Sequence, residues 1–433
     1  MYKYNLSLEK CAGNIASYRN NYFRINFNEE TIIKSIKKFF LQKELEEHDY
    51  KLLSIFIHEY LHFFHNISTV SGFYEFYIYL MQYLIFRESV NKNGFCLSSS
   101  RISKYEQKTL SDLLLILKKL YGYTGNKDIN NFSFALVKSE IPLANGISVI
   151  SNYVIEGYEN IEIGMTAILE AIAFELMSKI NSDVLFSSEF KTHPYYIIKE
   201  IVRQKISYEF SQDFFLKILI LSLQTNDPIG ALDAILNDLK SKFRVFNSDF
   251  LIKKIQDSLN IDDFIKSTKN DIKVQLSRVS KGKFKEILEF IFSKMEKALT
   301  RRKECPFIEL EWFVGNKLNS DKISENMQTY NMCSFIENQL FYGFFNYNEN
   351  VNIFNAIFDF MRKHLKNDKF ISTKQLPPYS CIFYEQCAKN PKPLKNFNSF
   401  CKTAPYKNYK KYKHDGKICW YLAGISACID KNL

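Results

Sequence analysis

The chain has 433 residues, 46% hydrophobic and 24% charged, proportions ordinary for a soluble globular protein. A single core rarely grows beyond roughly 250–300 residues, so two or three units are expected. The net charge of +11 does not describe a uniformly basic surface, because +8 of it falls between Lys389 and Lys417, where nine lysines meet one acidic residue, Asp415.

The opening residues, MYKYNLSLEK, lack the basic-then-apolar layout of a secretory signal. The most apolar windows, Phe73–Phe86 and Phe214–Leu223, fall short of the roughly 20 residues a membrane helix needs. A cytoplasmic protein without membrane spans is therefore expected. Its nine cysteines are then reduced thiols, buried or metal-bound, not disulfides.

Glycine and proline are scarce, so the expected fold class is mainly α with a small β component. In chain order, alternation at Tyr2–Leu8 and Tyr22–Phe27 predicts two short strands. Helical spacing follows from Glu30 to about Glu47, from Lys51 to Asn66 and from Gly72 to Phe86. A polar loop around Asn91–Ser103 leads to a helix near Tyr105–Leu120. The alternating stretch Phe132–Val154, broken by Pro142 and Gly146, predicts two strands around a turn. Beyond Ile161, apolar residues recur at three and four in segments near 161–180, 195–222, 228–241, 283–302, 323–345 and 351–366. The pattern breaks around Asn367–Ser380, at the pair Pro377 and Pro378, and a short module rich in cysteine, lysine and aromatics follows. Three units result: a metal-binding catalytic region over 1–190, a helical region over 191–368 and a C-terminal module over 369–433.

The second helix carries the chemistry. Residues 58–62 read His-Glu-Tyr-Leu-His, an HExxH motif flanked by Ile55, Phe56, Ile57, Phe63 and Phe64. At about 100° per residue His58 and His62 lie one turn apart on one face, where two imidazoles can grip one Zn²⁺. Glu59 lies about 100° round from His58, placed to act on a metal-bound water as general base without entering the coordination sphere. His65 shares the face but sits about 10.5 Å along the axis from His58, too far to reach the same ion, so it is read as a packing or supporting residue. The third ligand is assigned to Glu170, whose helical stripe contains Ile163, Ala167, Ala173, Phe174 and Met177. A carboxylate there is buried, and a buried charge must be paired or metal-bound. Glu175 is the alternative, as ligand or as a group orienting a ligand histidine.

The segments HEYLHFFHNIST and ILEAIAFE together resemble the zincin metallopeptidases, in the gluzincin arrangement. They are also similar to a group of uncharacterised bacterial proteins with HEY-x-H and an E-x-x-A helix. The resemblance covers about residues 49–180. It implies a zincin-like helical catalytic core, His58, His62 and Glu170 as zinc ligands, Glu59 as the base, and a protein or peptide substrate. It also implies an edge strand that aligns the substrate, for which Phe132–Val154 is the candidate, and an oxyanion-stabilising Tyr or His, for which Tyr153, Tyr158 and His193 remain open.

In the C-terminal module, Cys381, Cys387, Cys401 and Cys419, with Cys428 and His414 nearby, offer a second metal site for zinc or an iron–sulfur cluster. They lack a C-x₂-C pair, and unrelated buried thiols are the alternative. The lysines at 389–417 alternate with Phe397, Phe400, Tyr406, Tyr409 and Tyr412. That pattern suits a nucleic-acid or other polyanion contact, or a solvated lysine-rich surface whose rings pack inward. A zinc-dependent hydrolase, most specifically a metallopeptidase, is the function expected. The competing reading is a regulatory or nucleic-acid- or protein-binding protein with a degenerate or structural HExxH site.

Overall fold

The computed structural model describes residues 16–19, 23–28, 31–98, 102–143, 146–158, 161–180, 192–206, 209–242, 248–279, 282–315, 317–337, 340–342, 349–389, 397–409 and 419–429. The strand expected at Tyr2–Leu8 lies outside them. The fold is mainly α with a small β component. None of its described helices is long and apolar enough to cross a membrane.

Two short strands open the described chain, β1 (Ala16–Arg19) and β2 (Arg24–Phe27), paired antiparallel with Tyr18 opposite Ile25. Helix α1 (Ile32–Phe40) follows and stops well before the expected Glu47, with Gln42 in the left-handed region at φ 51°. Helix α2 (Glu47–Ser68) then starts on a capping box in which the Glu46 backbone N–H donates to Asp49 Oδ2 at 3.1 Å. From Phe56 to Ser68 every residue of α2 is buried, so it is a central helix without a solvent face. It packs against α1, β1, and three helices that come later in the chain.

Helix α3 (Val70–Ser89) begins one residue after α2 ends, with Thr69 closing one helix and capping the other: its Oγ1 accepts from the Gly72 N–H at 3.1 Å. A Cβ at Gly72 would fall 2.1 Å from the Asn66 carbonyl oxygen, so this close reversal requires glycine. Helix α4 (Lys104–Tyr121) carries a second capping box, Ser103 with Glu106. The hairpin of β3 (Phe134–Leu143) and β4 (Gly146–Ile155) matches the expected strand pair and packs on α4. The short β5 (Glu162–Ile163) pairs with β4 and leads into α5 (Met165–Ile180), which lies against α2. Ala167, Ala171 and Ala173 are fully buried on α5 and permit that close approach.

The second half stacks further helices around this pair. A π-helical turn, Thr192–Tyr196, precedes α6 (Ile197–Ile206) and α7 (Gln212–Ser222), so the expected 195–222 helix is two. Then come α8 (Pro228–Lys242), α9 (Ser248–Ser258), α10 (Ile261–Ser277) and α11 (Lys283–Glu304). The helix expected over 323–345 is α12 (Ser320–Tyr330), ended by Asn331 at φ 41°, followed by β8 (Ser334–Glu337) and β9 (Leu340–Tyr342); β6 (Phe313–Val314) and β7 (Lys317–Leu318) precede it. Strand β8 pairs in parallel with β2, giving a four-stranded sheet in the order β1-β2-β8-β9. Helix α13 (Glu349–His364) leads through the β10–β11 hairpin (Leu365–Lys366, Lys369–Phe370) to the short α14 (Tyr384–Ala388) and α15 (Phe400–Thr403). The last helix, α16 (Trp420–Ile429), packs on α13, with Gly424 against Ala356.

Candidate metal centre

Helix α2 brings His58 and His62 to one face, and α5 brings Glu170 to meet them. Glu170 Oε2 lies 3.0 Å from His58 Nε2 and Oε1 lies 3.3 Å from His62 Nε2. The two imidazole rings have centroids 4.8 Å apart and stand nearly perpendicular, at 83°. Among the described residues, these are the only three His, Cys, Asp or Glu side chains whose ligand atoms all lie within 4.8 Å of one another. A tetrahedral zinc with bonds of about 2.0–2.1 Å separates its ligand atoms by about 3.4 Å, so the donor set and its spacing fit such an ion. Around such an ion, three donors would leave a fourth position open.

His58, Glu59, His62 and Glu170 are each no more than 3% exposed. Burial opposes the charge on Glu170, but the two imidazoles outweigh it and hold the carboxyl well below the usual carboxylate range. Burial acts with less opposition on Glu59 and raises its carboxyl to about 7; His58 pulls against that rise and Glu170 adds to it. The Tyr18 backbone N–H of β1 donates to Glu59. Glu59 Oε1 has no hydrogen-bond partner, and neither do Nδ1 of His58 and of His62. A buried carboxylate oxygen left without a partner is costly unless something else comes to it.

His65 faces away from this cluster. Its Nε2 lies 2.6 Å from Glu309 Oε1, and Glu309 takes both Arg302 terminal nitrogens, at 2.8 and 2.9 Å. Arg302 also donates to Ser68 Oγ and the Pro306 carbonyl and lies over the Phe64 ring. This buried network anchors the C-terminal end of α2 to α11, next to the centre rather than in it. Glu175, the alternative ligand, pairs instead with Lys199 and accepts from Gln212 Nε2 at 2.8 Å. Five residues beyond Glu170, it faces another side of α5.

The other expected residues are dispersed. Tyr153 OH donates to Asp233 Oδ1 at 2.8 Å, and Tyr158 lies under the Lys127 ammonium. His193 is nearer the centre, and Glu170 acts on its ring electrostatically. Burial lowers its pKa to about 4, and its Nδ1 donates to the Gly125 carbonyl at 2.8 Å, which leaves Nε2 as an acceptor. Tyr195, which sequence reasoning missed, sits with its ring 6.4 Å from the His58 ring. The β3–β4 hairpin packs on α4 and α8, whereas α2 meets β1, which is an edge strand among the described residues, and to a lesser extent β2.

In the C-terminal module, Tyr406 packs on Phe95 and Tyr379, Tyr409 is buried, and Phe397 meets Tyr384. Phe400 is partly exposed beneath Lys407. Residues 390–396 and 410–418 of the lysine-rich stretch, with Tyr412 and His414, lie outside the described residues. Comparison of the chain with protein-family models, curated proteins and solved structures gave no match.

Proposed function

We propose that the chain is a zinc-dependent hydrolase, specifically a metallopeptidase, in which His58, His62 and Glu170 hold the metal and Glu59 is the general base. The observation that carries this reading is the convergence of two Nε2 atoms and one buried carboxylate beside a second carboxylate with a partnerless oxygen. When bound, zinc supplies Lewis acidity and brings the pKa of a bound water down to about 7.

The protein's own part follows from the geometry. Burial pushes the Glu59 carboxyl up to about 7, toward the neutral range where a general base works best. It can take a proton on its open Oε1 and return it to the leaving amine. The Tyr18 N–H, on the other side, orients the carboxylate. Because Tyr18 points this N–H outward from β2, the edge of β1 that has no partner strand among the described residues runs alongside the base. An extended peptide pairing with such an edge would be aligned by main-chain hydrogen bonds. This supports a peptide substrate, as does the resemblance to the zincins.

Zinc content and casein hydrolysis, measured on wild type, Glu59→Gln and His58→Ala, test the reading. Glu59→Gln is expected to retain zinc and lose activity by about 10²–10⁴-fold, the range for removal of a general base. His58→Ala is expected to lose both. A wild type without zinc at this site, or an active Glu59→Gln, overturns the proposal.

A further inference from the structure

A second group of potential ligands lies far along the chain from the first. Cys381, Cys387, Cys401 and Cys419 all line one cavity of about 180 Å³ in the C-terminal module. They come from different pieces of backbone: the turn before α14, α14 itself, α15 and the residue preceding α16. The pieces are bound to each other, since the Cys381 N–H donates to the Cys401 carbonyl at 2.8 Å and the Tyr379 N–H to that of Thr403 at 3.0 Å. All four thiols are free of disulfides.

The sulfurs are arranged around a space. A single tetrahedral zinc with Zn–S bonds of about 2.3 Å draws its four sulfurs to about 3.8 Å from one another. Among the described residues only His58, His62 and Glu170 are gathered as closely as a single ion requires, so the four cysteines are set wider apart. The cavity they surround exceeds the roughly 150 Å³ that accommodates a benzene molecule. That is room for a polynuclear group.

The sulfurs are also supplied with donors. The Phe383 N–H donates to Cys381 Sγ at 3.4 Å, and Asn408 Nδ2 to Cys401 Sγ at 3.3 Å. Cys419 receives the N–H groups of Tyr421 and Leu422, at the start of α16. Donors aimed at sulfur favour the thiolate, and hydrogen bonds to ligand sulfurs are among the features that set the properties of iron–sulfur centres. Phe383 and Trp420 meet edge to face at 5.2 Å, and with Tyr384 and Phe397 they wall the cavity with aromatic rings.

We propose that Cys381, Cys387, Cys401 and Cys419 hold an iron–sulfur cluster, giving the chain a second metal centre distinct from the His58–His62–Glu170 site. It would act as a staple for the C-terminal module, tying four short pieces of backbone that share little regular structure.

The test uses the full chain, purified without oxygen or reconstituted with ferrous iron and sulfide. Iron and acid-labile sulfide are expected in equal amounts, about two or about four of each per chain, with a broad absorption near about 400 nm that bleaches on reduction. Each of Cys381→Ser, Cys387→Ser, Cys401→Ser and Cys419→Ser is expected to lose most of that absorption. Cys305→Ser is expected to keep it, because that thiol donates to Glu311 elsewhere. The wild-type spectrum decides the matter without any variant, so a variant that fails to fold does not shield the proposal. One zinc bound in place of iron, a disulfide between these cysteines, or four alkylatable thiols after reconstitution overturns it. None of these readouts depends on hydrolytic activity, so this proposal and the hydrolase reading stand or fall separately.

Discussion

Glu170→Gln keeps the shape of the side chain and removes its charge from between two imidazoles. In the wild type the carboxylate reaches both Nε2 atoms, at 3.0 and 3.3 Å, in a buried site. If the three residues bind zinc, the ion stabilises only the folded chain. At a thousandfold excess over its dissociation constant it adds about 4 kcal/mol. An unfolding entropy of about 2.1 cal/mol/K per residue over 433 residues makes about 0.9 kcal/mol/K for the chain. Zinc should therefore raise the melting midpoint of the wild type by about 4–5 °C relative to the chelated protein. Glu170→Gln should show less than about a quarter of that rise, because a dication facing two neutral imidazoles and an amide is poorly compensated. Scanning calorimetry with and without chelator measures both. The cysteine cavity is the same in the two proteins, so whatever it holds cancels in the comparison. An equal rise in the two proteins, or none in the wild type, refutes the assignment of Glu170.

Three further predictions concern buried contacts elsewhere in the fold. Glu309→Ala leaves Arg302 and His65 without their buried partner and should cost about 3–5 kcal/mol, whereas Arg302→Met with Glu309→Leu should recover much of the loss; urea unfolding of the three proteins checks this. Burial lowers the His364 pKa to about 4, against a pull upward from the Phe360 carbonyl. Between the unfolded value of about 6.5 and that folded value the unfolded chain binds the proton and the folded one does not. Stability should then fall as pH falls across that window, by up to about 3 kcal/mol from this residue, and His364→Gln should flatten the dependence of the urea midpoint on pH. Gly424→Ala puts a Cβ 2.8 Å from the Ala356 Cβ and 3.0 Å from the Ile357 nitrogen, so α16 must move off α13; a loss of about 1–3 kcal/mol is expected in the same assay.

The parts of the site that were legible in the sequence are those fixed by one helix. The spacing of His58, Glu59 and His62 is a local property of α2, and the apolar residues around them already implied burial. Glu170 was reachable because a carboxylate in a stripe of alanine and isoleucine needs a partner, although its distance from His62 gave no help. The partner of His65 was not legible: Glu309 is 244 residues away, and nothing near either residue points to the other. Strand β8 was absorbed into an expected helix because Phe335, Ile336 and Leu340 continue the apolar spacing of α12. The Asn331 turn, a single residue in the left-handed region, breaks it. Helices α9 and α10 were missed because their exposed faces dilute the apolar signal. A strand beside α2 was expected from the chain between the two ligand helices, whereas β1, which precedes α2, packs on it.

The parallel pairing of β2 with β8 has a consequence for biosynthesis. Arg24 lies opposite Ser334, so about 310 residues must leave the ribosome between β2 and its parallel neighbour β8. Translation at about 5–20 residues per second makes that an interval of tens of seconds. Throughout it, the apolar flank of α2 and the open side of β2 would be bare on the nascent chain, a natural target for chaperones and a reason for slow maturation from a cell-free ribosome.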